Sequence, residues 1–170
     1  MRLKNLADIE EKYQKKLINI FLRCDLNITE NDSSRIDLSA PTIQRLLKYK
    51  FVNKVIICSH LGRPKGKVNP EMSLEPVASH LQNLMSETSI SFVSACVGPQ
   101  VSSACASMSD GSVLVLENVR FHKEETENDE NFSKKLAELG EVYINNAFSC
   151  SHRKEASIHN ITKFIKESYA

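Results

Sequence analysis

The sequence predicts an open three-layer α/β domain, Rossmann-like, with a mostly parallel sheet and helices on both faces. Short apolar runs alternate with amphipathic stretches of helix length along the whole chain. Four of these runs lead into a polar cluster that contains arginine: FLRCDLN at 21–27, VIICSHLGRP at 55–64, VLVLENVRFH at 113–122 and VYINNAFSCSHR at 142–153. In neighbouring parallel strands the carboxyl ends converge, which would gather Arg35, His60, Arg63, Arg120 and Arg153 around one small anion.

Leu17 to Leu22 is a short apolar run ending in charge, as a buried parallel strand requires. A helix is expected from Ser39 as cap, with Pro41 in its first turn, Ile43, Leu46 and Leu47 inward and Lys48 and Lys50 near its end. Lys54 to Ser59 is the second strand. A second helix starts at Ser73, with Pro76 in its first turn and Leu74, Val77, Leu81 and Leu84 on one stripe. Ser89 to Val93 reads as the third strand, and Pro99 opens a weaker helix to about Met108. Asp110-Gly111 is a turn into the strand Val113 to Leu116. The polar stretch 122–131 reads as a solvated loop up to Asp129, which caps a helix placing Phe132, Leu136 and Leu139 on one face and ending at Gly140. Val142 to Ile144 is the fifth and last strand expected.

At 170 residues the chain is one domain or a large part of one, long enough to bury roughly 70% of its unfolded surface. A net charge of +1 argues against a polyanion binder, which needs many clustered cations. The five cysteines form no CxxC pair and read as reduced thiols of a cytoplasmic protein. No stretch has the length of a signal peptide's apolar core or a membrane helix, and no His/Cys spacing suggests a metal site.

At the expected strand ends, arginine offers a fork that matches phosphate or carboxylate. Asp25 and Asn27, two apart in extended chain, face one side and suit a hydroxyl. A phosphorylated hydroxy acid fits the set. GRPKGKV at 62–68 is not a phosphate-binding loop of the nucleotide kind: Gly62 to Gly66 is one residue too close, and Val68 stands where Ser or Thr would bind magnesium. Bland readings compete. A single arginine after a strand is usually a surface residue, and the recurrence is what tips the balance. His80 reads as structural, and His122 and His159 as solvated.

The segments RCDLN, RIDLSAPTI, SHLGRPKG, SLEPVASHL, CVGP, LENVRFHKEE, LGEVYINNAF and HRKEAS, in this order from about Leu17 to Ala170, resemble the amino-terminal domain of phosphoglycerate kinase. The resemblance implies that 1–170 is the phosphoglycerate-binding domain of a glycolytic enzyme that moves phosphate between 1,3-bisphosphoglycerate and ADP. The magnesium nucleotide (Mg-ATP or Mg-ADP) would be bound by a carboxyl-terminal domain outside this sequence, and the whole enzyme would be a monomer. It further implies substrate contacts from Asp25, Leu26, Asn27, Arg35, His60, Leu61, Gly62, Arg63, Arg120 and Arg153. Arg63, Arg120 and Arg153 suit the non-transferred phosphate, and Arg35 the transferring group. The family reads close to NDAFGTAHRAHAS where this chain has NNAFSCSHRKEAS. Asn146, Ser149, Cys150, Ser151 and Glu155 are departures. The lost glycine is expected to alter the loop backbone, and Glu155 to bring a carboxylate near Arg153. Two readings follow: half of a kinase, inactive alone, or a non-catalytic module that binds a phosphorylated hydroxy acid.

Overall fold

The computed structural model describes residues 9, 12, 13, 16–28 and 32–169. Strands β1 (Ile18–Cys24), β2 (Val52–Cys58), β3 (Ile90–Val93), β4 (Ser112–Leu116), β5 (Val142–Asn146) and β6 (Glu167–Tyr169) form one six-stranded sheet, ordered β3-β4-β2-β1-β5-β6. Every pairing is parallel. The four arginine-bearing runs are therefore four adjacent strands, β4-β2-β1-β5, with their carboxyl ends at one edge.

Side-chain alternation assigns each strand to two cores. Ile20, Leu22, Val55, Ile57, Val113, Val115, Val142 and Ile144 face α1 (Ser34–Leu47) and α2 (Glu75–Leu84). Phe21, Ile56, Cys58, Leu114, Leu116 and Tyr143 face α3 (Pro99–Ser107), α5 (Glu130–Ala137) and α6 (Ile161–Phe164). With both faces covered, a period-2 strand reads as a continuous apolar run. Each such aliphatic side chain contributes about 1.5–3 kcal/mol on burial.

Four expectations are corrected. Helix α1 begins at Ser34, more than a turn before Ser39, and Pro41 lies inside it. Ser33 is the cap residue and makes no side-chain cap bond, while Asp32 Oδ1, one residue earlier, accepts from Ser34 N at 2.9 Å. Ser39 is buried, and its hydroxyl donates to Arg35 O at 2.8 Å. Leu84 is off the buried stripe of α2, which uses Ala78 instead. The polar stretch 122–131 contains a short helix, α4 (Lys123–Thr126), and Glu125 within it is wholly buried. The sixth strand, β6, escaped notice because three residues flanked by charge carry no usable period.

Other local expectations hold. Asp129 Oδ1 accepts from Phe132 N at 2.7 Å and caps α5. After α5 the chain turns at Gly140 directly against β1. A Cβ there would lie 2.9 Å from Phe21 N and 3.1 Å from Asn19 O, both backbone atoms of the central strand. Gly140→Ala is expected to cost about 1–3 kcal/mol through this overlap, read as a drop in Tm. A variant as stable as the parent would show that β1 can yield.

Candidate functional site

The loops at the carboxyl edge are tied together by polar side chains. Ser59 Oγ donates to Cys24 O at 2.9 Å and accepts from Leu26 N at 3.0 Å, joining the ends of β2 and β1. Asn27 Oδ1 accepts from Gly62 N at 2.8 Å. Gly62 has a φ of +62°, and a Cβ there would strike Met72 Sδ at 2.9 Å. Beyond β4, the buried Asn118 donates through Nδ2 to Leu61 O at 2.7 Å and Met72 O at 2.9 Å, and accepts from Arg120 N at 3.0 Å. Leu26, Asn27, Leu61 and Gly62 thus present their groups from one braced rim.

Asp25 follows β1. Its Oδ2 accepts from Arg35 Nη1 and from Ser149 Oγ, and its Oδ1 accepts from Asn27 N at 3.3 Å. Burial works against the carboxylate, yet the donors from Ser149, Arg35 and Asn27 outweigh it and hold Asp25 below the ordinary carboxylate range. Ser149 does not have positive φ, so no strain follows from the missing glycine there. The substitution's effect is instead a hydroxyl on Asp25.

Arg23, the next inward-pointing residue of β1 after Phe21, is wholly buried. Its Nε donates to Ser157 Oγ at 2.9 Å, Nη1 donates to Cys24 O, and Nη2 lies 3.1 Å from His60 Nδ1. Ser157 in turn donates through its hydroxyl and its N–H to Glu125. A guanidinium only donates, so His60 Nδ1 accepts and the proton of the neutral ring sits on Nε2. Burial, then repulsion from Arg23 and Arg120, moves the His60 pKa from 6.5 to about 3.

Arg63, Lys65, Arg120, Lys123, Thr126, Arg153 and Glu155 line a cavity of about 380 Å³. Arg120 is nearly buried: Nη1 donates to Gly62 O at 3.1 Å and Nη2 to Glu155 Oε1 at 2.7 Å. Glu155 Oε1 is also 3.7 Å from Arg153 Nη1, and Oε2 is 3.9 Å from Arg23 Nη2. Arg120 Nε, Arg153 Nε and Glu155 Oε2 are buried without a hydrogen-bond partner. A larger cavity of about 470 Å³ lies between the carboxyl ends of α1 and α2, lined by one lysine and one glutamate. It is at the opposite edge of the sheet from the arginines, so the smaller cavity carries the chemistry.

The ten residues expected at the site all lie on or beside this edge. Five are directly bonded in one chain: Arg35 to Asp25, Asp25 to the Asn27 backbone, and Gly62 between Asn27 and Arg120. Arg63 and Arg153 share the cavity with Arg120, while His60 faces Arg23. Arg23, Glu125, Ser157, Lys65 and Lys123 were missed. A charge inside an otherwise apolar strand was the available signal, since it demands buried partners elsewhere.

Asp25, His60 and Cys150 present ligand-type atoms within 4.8 Å of one another. They do not fit a cation: His60 uses one ring nitrogen for Arg23 and carries its proton on the other, and Asp25 is already bonded to Arg35. The 62–68 segment leads into a three-residue 3₁₀ turn, Pro70–Met72, rather than the long helix of a nucleotide loop. All five cysteines are free, and burial pushes the Cys24 and Cys58 thiols up to about 12.

The family model for phosphoglycerate kinase matches residues 8–170. This chain belongs to the phosphoglycerate kinase family. A phosphoglycerate kinase of Aquifex aeolicus is 44% identical over 168 residues, 98% of this chain and 41% of that protein. A chloroplastic phosphoglycerate kinase of Arabidopsis thaliana is 45% identical over 157 residues, 89% of this chain and 32% of its own length. Among solved structures, phosphoglycerate kinase from Coxiella burnetii superposes with a TM-score of 0.79 at 27% identity, covering 98% of this chain and 41% of that one. The enzyme from Pyrococcus horikoshii gives 0.76 at 26%, covering 94% and 41%. The chain thus spans about two fifths of the length of the Aquifex and Coxiella enzymes. Among the described residues no helix is long and apolar enough to cross a membrane.

Because the folded His60 takes up a proton only near pH 3 and the unfolded ring near 6.5, the unfolded state binds more protons in between. Stability therefore falls as pH drops through that window. His122, also lowered by burial, adds to the same slope. In thermal melts from about pH 7 to about pH 4, His60→Gln is expected to lose Tm more shallowly than the parent. Parallel curves would remove His60 as a source of the slope.

Proposed function

We propose that this chain is the amino-terminal, phosphoglycerate-binding part of a phosphoglycerate kinase. The whole enzyme would transfer a phosphoryl group reversibly between 1,3-bisphosphoglycerate and ADP, giving 3-phosphoglycerate and ATP. What carries the reading is the convergence of the segments after β2, β4 and β5 on one cationic cavity, beside the Asp25 rim that follows β1, in a chain of this family. A triose bearing a carboxylate, a hydroxyl and a phosphate needs donors for the anionic ends and an acceptor for the hydroxyl, and the rim has both.

In this reading Asp25, kept ionised by Arg35 and Ser149, accepts from the substrate hydroxyl. Asn27, with the neighbouring backbone of Leu26, Leu61 and Gly62, aligns the carboxyl region, and His60 Nε2–H is a further donor. Arg63, Arg120 and Arg153 hold the non-transferred phosphate. Arg35, an exposed member, neutralises charge on the transferring group. No base is required, because the acceptor in the reverse direction is already a carboxylate; positioning and charge stabilisation supply the rate. Mg-ATP or Mg-ADP belongs to chain outside these residues, which is why this chain alone would not transfer phosphate. Five free thiols suit a reducing compartment such as the cytoplasm, and the whole enzyme is taken as a monomer.

Titrating the chain with 3-phosphoglycerate is expected to shift amide resonances at Asp25, His60, Arg63 and Arg120, while Mg-ATP leaves them in place. Saturation without movement in those loops would sink the assignment. In the longer protein, Arg35→Ala should lower kcat by more than it raises the KM for phosphoglycerate. A loss confined to KM would make Arg35 a ground-state binding residue.

A further inference from the structure

The cavity wall holds a carboxylate where an anion-binding pocket has least use for one. Glu155 is 5% exposed, accepts from Arg120 at 2.7 Å, and lies within 3.7 Å of Arg153 and 3.9 Å of Arg23. Three guanidinium groups thus surround one internal carboxylate. With Nη1 on Gly62 O and Nη2 on Glu155, Arg120 has neither terminal nitrogen wholly uncommitted. Its remaining donor, Nε, is buried and unpartnered, as is that of Arg153. By contrast, Arg63, Lys65 and Lys123 line the same cavity and form no ion pair among the described residues. The loop carrying Lys65 is docked beside Lys123: Gly66 N donates to Arg120 O at 3.1 Å, and a Cβ on Gly66 would lie 2.8 Å from Lys123 Cβ.

We infer that Glu155 is a specificity-determining residue, an internal anion that competes with the ligand's phosphate for Arg120 and Arg153 and leaves Arg63, Lys65 and Lys123 as its main donors. A phosphate entering the cavity meets like charge in a partly desolvated site, where repulsion is weakly screened. It must either push the carboxylate off Arg120 or settle outside it. Glu155 therefore weakens phosphate binding selectively, while a ligand without phosphate is indifferent to it. The ligand named in one arm of the test rests on the phosphoglycerate reading; the effect of Glu155 on phosphate does not.

The experiment compares the parent chain with Glu155→Gln and Glu155→Ala by calorimetric titration at fixed ionic strength, using inorganic phosphate, 3-phosphoglycerate and glycerate. Gln keeps an oxygen for Arg120 and removes the charge; Ala removes both, so agreement between them isolates the charge. Kd for inorganic phosphate is expected to fall at least about tenfold in both variants, with the same gain for 3-phosphoglycerate and none for glycerate. Unchanged or weaker phosphate binding in a folded variant overturns the inference, even where the parent binds 3-phosphoglycerate well. Tighter phosphate without any response to 3-phosphoglycerate upholds the role of Glu155 and sinks the phosphoglycerate reading. Should one variant melt below the assay temperature, the other decides. Lys123→Met in the parent background is a separate check: it should weaken phosphate several-fold, and no loss there contradicts the assignment of the outer donors.

Discussion

A permanent positive charge with no exposed surface organises the carboxyl edge of this sheet. Arg23 cannot shed its proton, so every group around it must supply an acceptor or a counter-charge. Cys24 O, Ser157 Oγ and His60 Nδ1 each take a hydrogen bond, and Glu155 and Glu125 supply negative charge. These residues come from β1, the loop after β2, α4 and the π-helical turn Ala156–Asn160 with its cap residue Glu155. Removing one partner of such a cluster leaves an uncompensated buried charge, which costs several kcal/mol. The cluster thus specifies how distant parts of the sequence meet, and the cavity-lining residues are its outer layer.

Two departures from the family pattern act in the same direction. Ser149 adds a donor to Asp25, and Glu155 adds an acceptor to Arg120. Each gives a charged group that faces the cavity or its rim a partner from within the protein. A ligand must therefore exchange existing bonds rather than fill vacant ones, and the net gain per contact is smaller than the roughly 1.5–3 kcal/mol of a free charged hydrogen bond.

The sheet was legible in the sequence because strands covered on both faces carry apolar runs, as residues 20–22, 55–58, 113–116 and 142–144 do within β1, β2, β4 and β5. The arginine-bearing ends were legible because parallel topology makes sequence-distant termini neighbours. Polar groups buried behind that edge were not. Glu125 sits in a stretch of ten polar residues, 122–131, and looks no different from Glu124 or Glu127; only tertiary packing sends it inward to Ser157. Arg23 looked like the polar end of its strand, although its position two after Phe21 puts it on the same covered face. Helix α1 shows the limit of local rules. Pro41 reads as a first-turn residue, but it is exposed inside the helix, which starts at Ser34 with Asp32 accepting from its N–H.

Asn118 has a consequence for the thermodynamics of recognition. One amide fixes the loop after β2, the turn before α2 and the turn after β4 to one another. These segments cannot drift independently, so an arriving ligand orders the long side chains of Arg63, Lys65 and Lys123 and little main chain. The entropic penalty is then about 0.5–1.5 kcal/mol for each immobilised side chain, with little of the larger cost of folding a loop. Recognition at this edge is governed by which side chains are free to turn, rather than by whether the backbone can close.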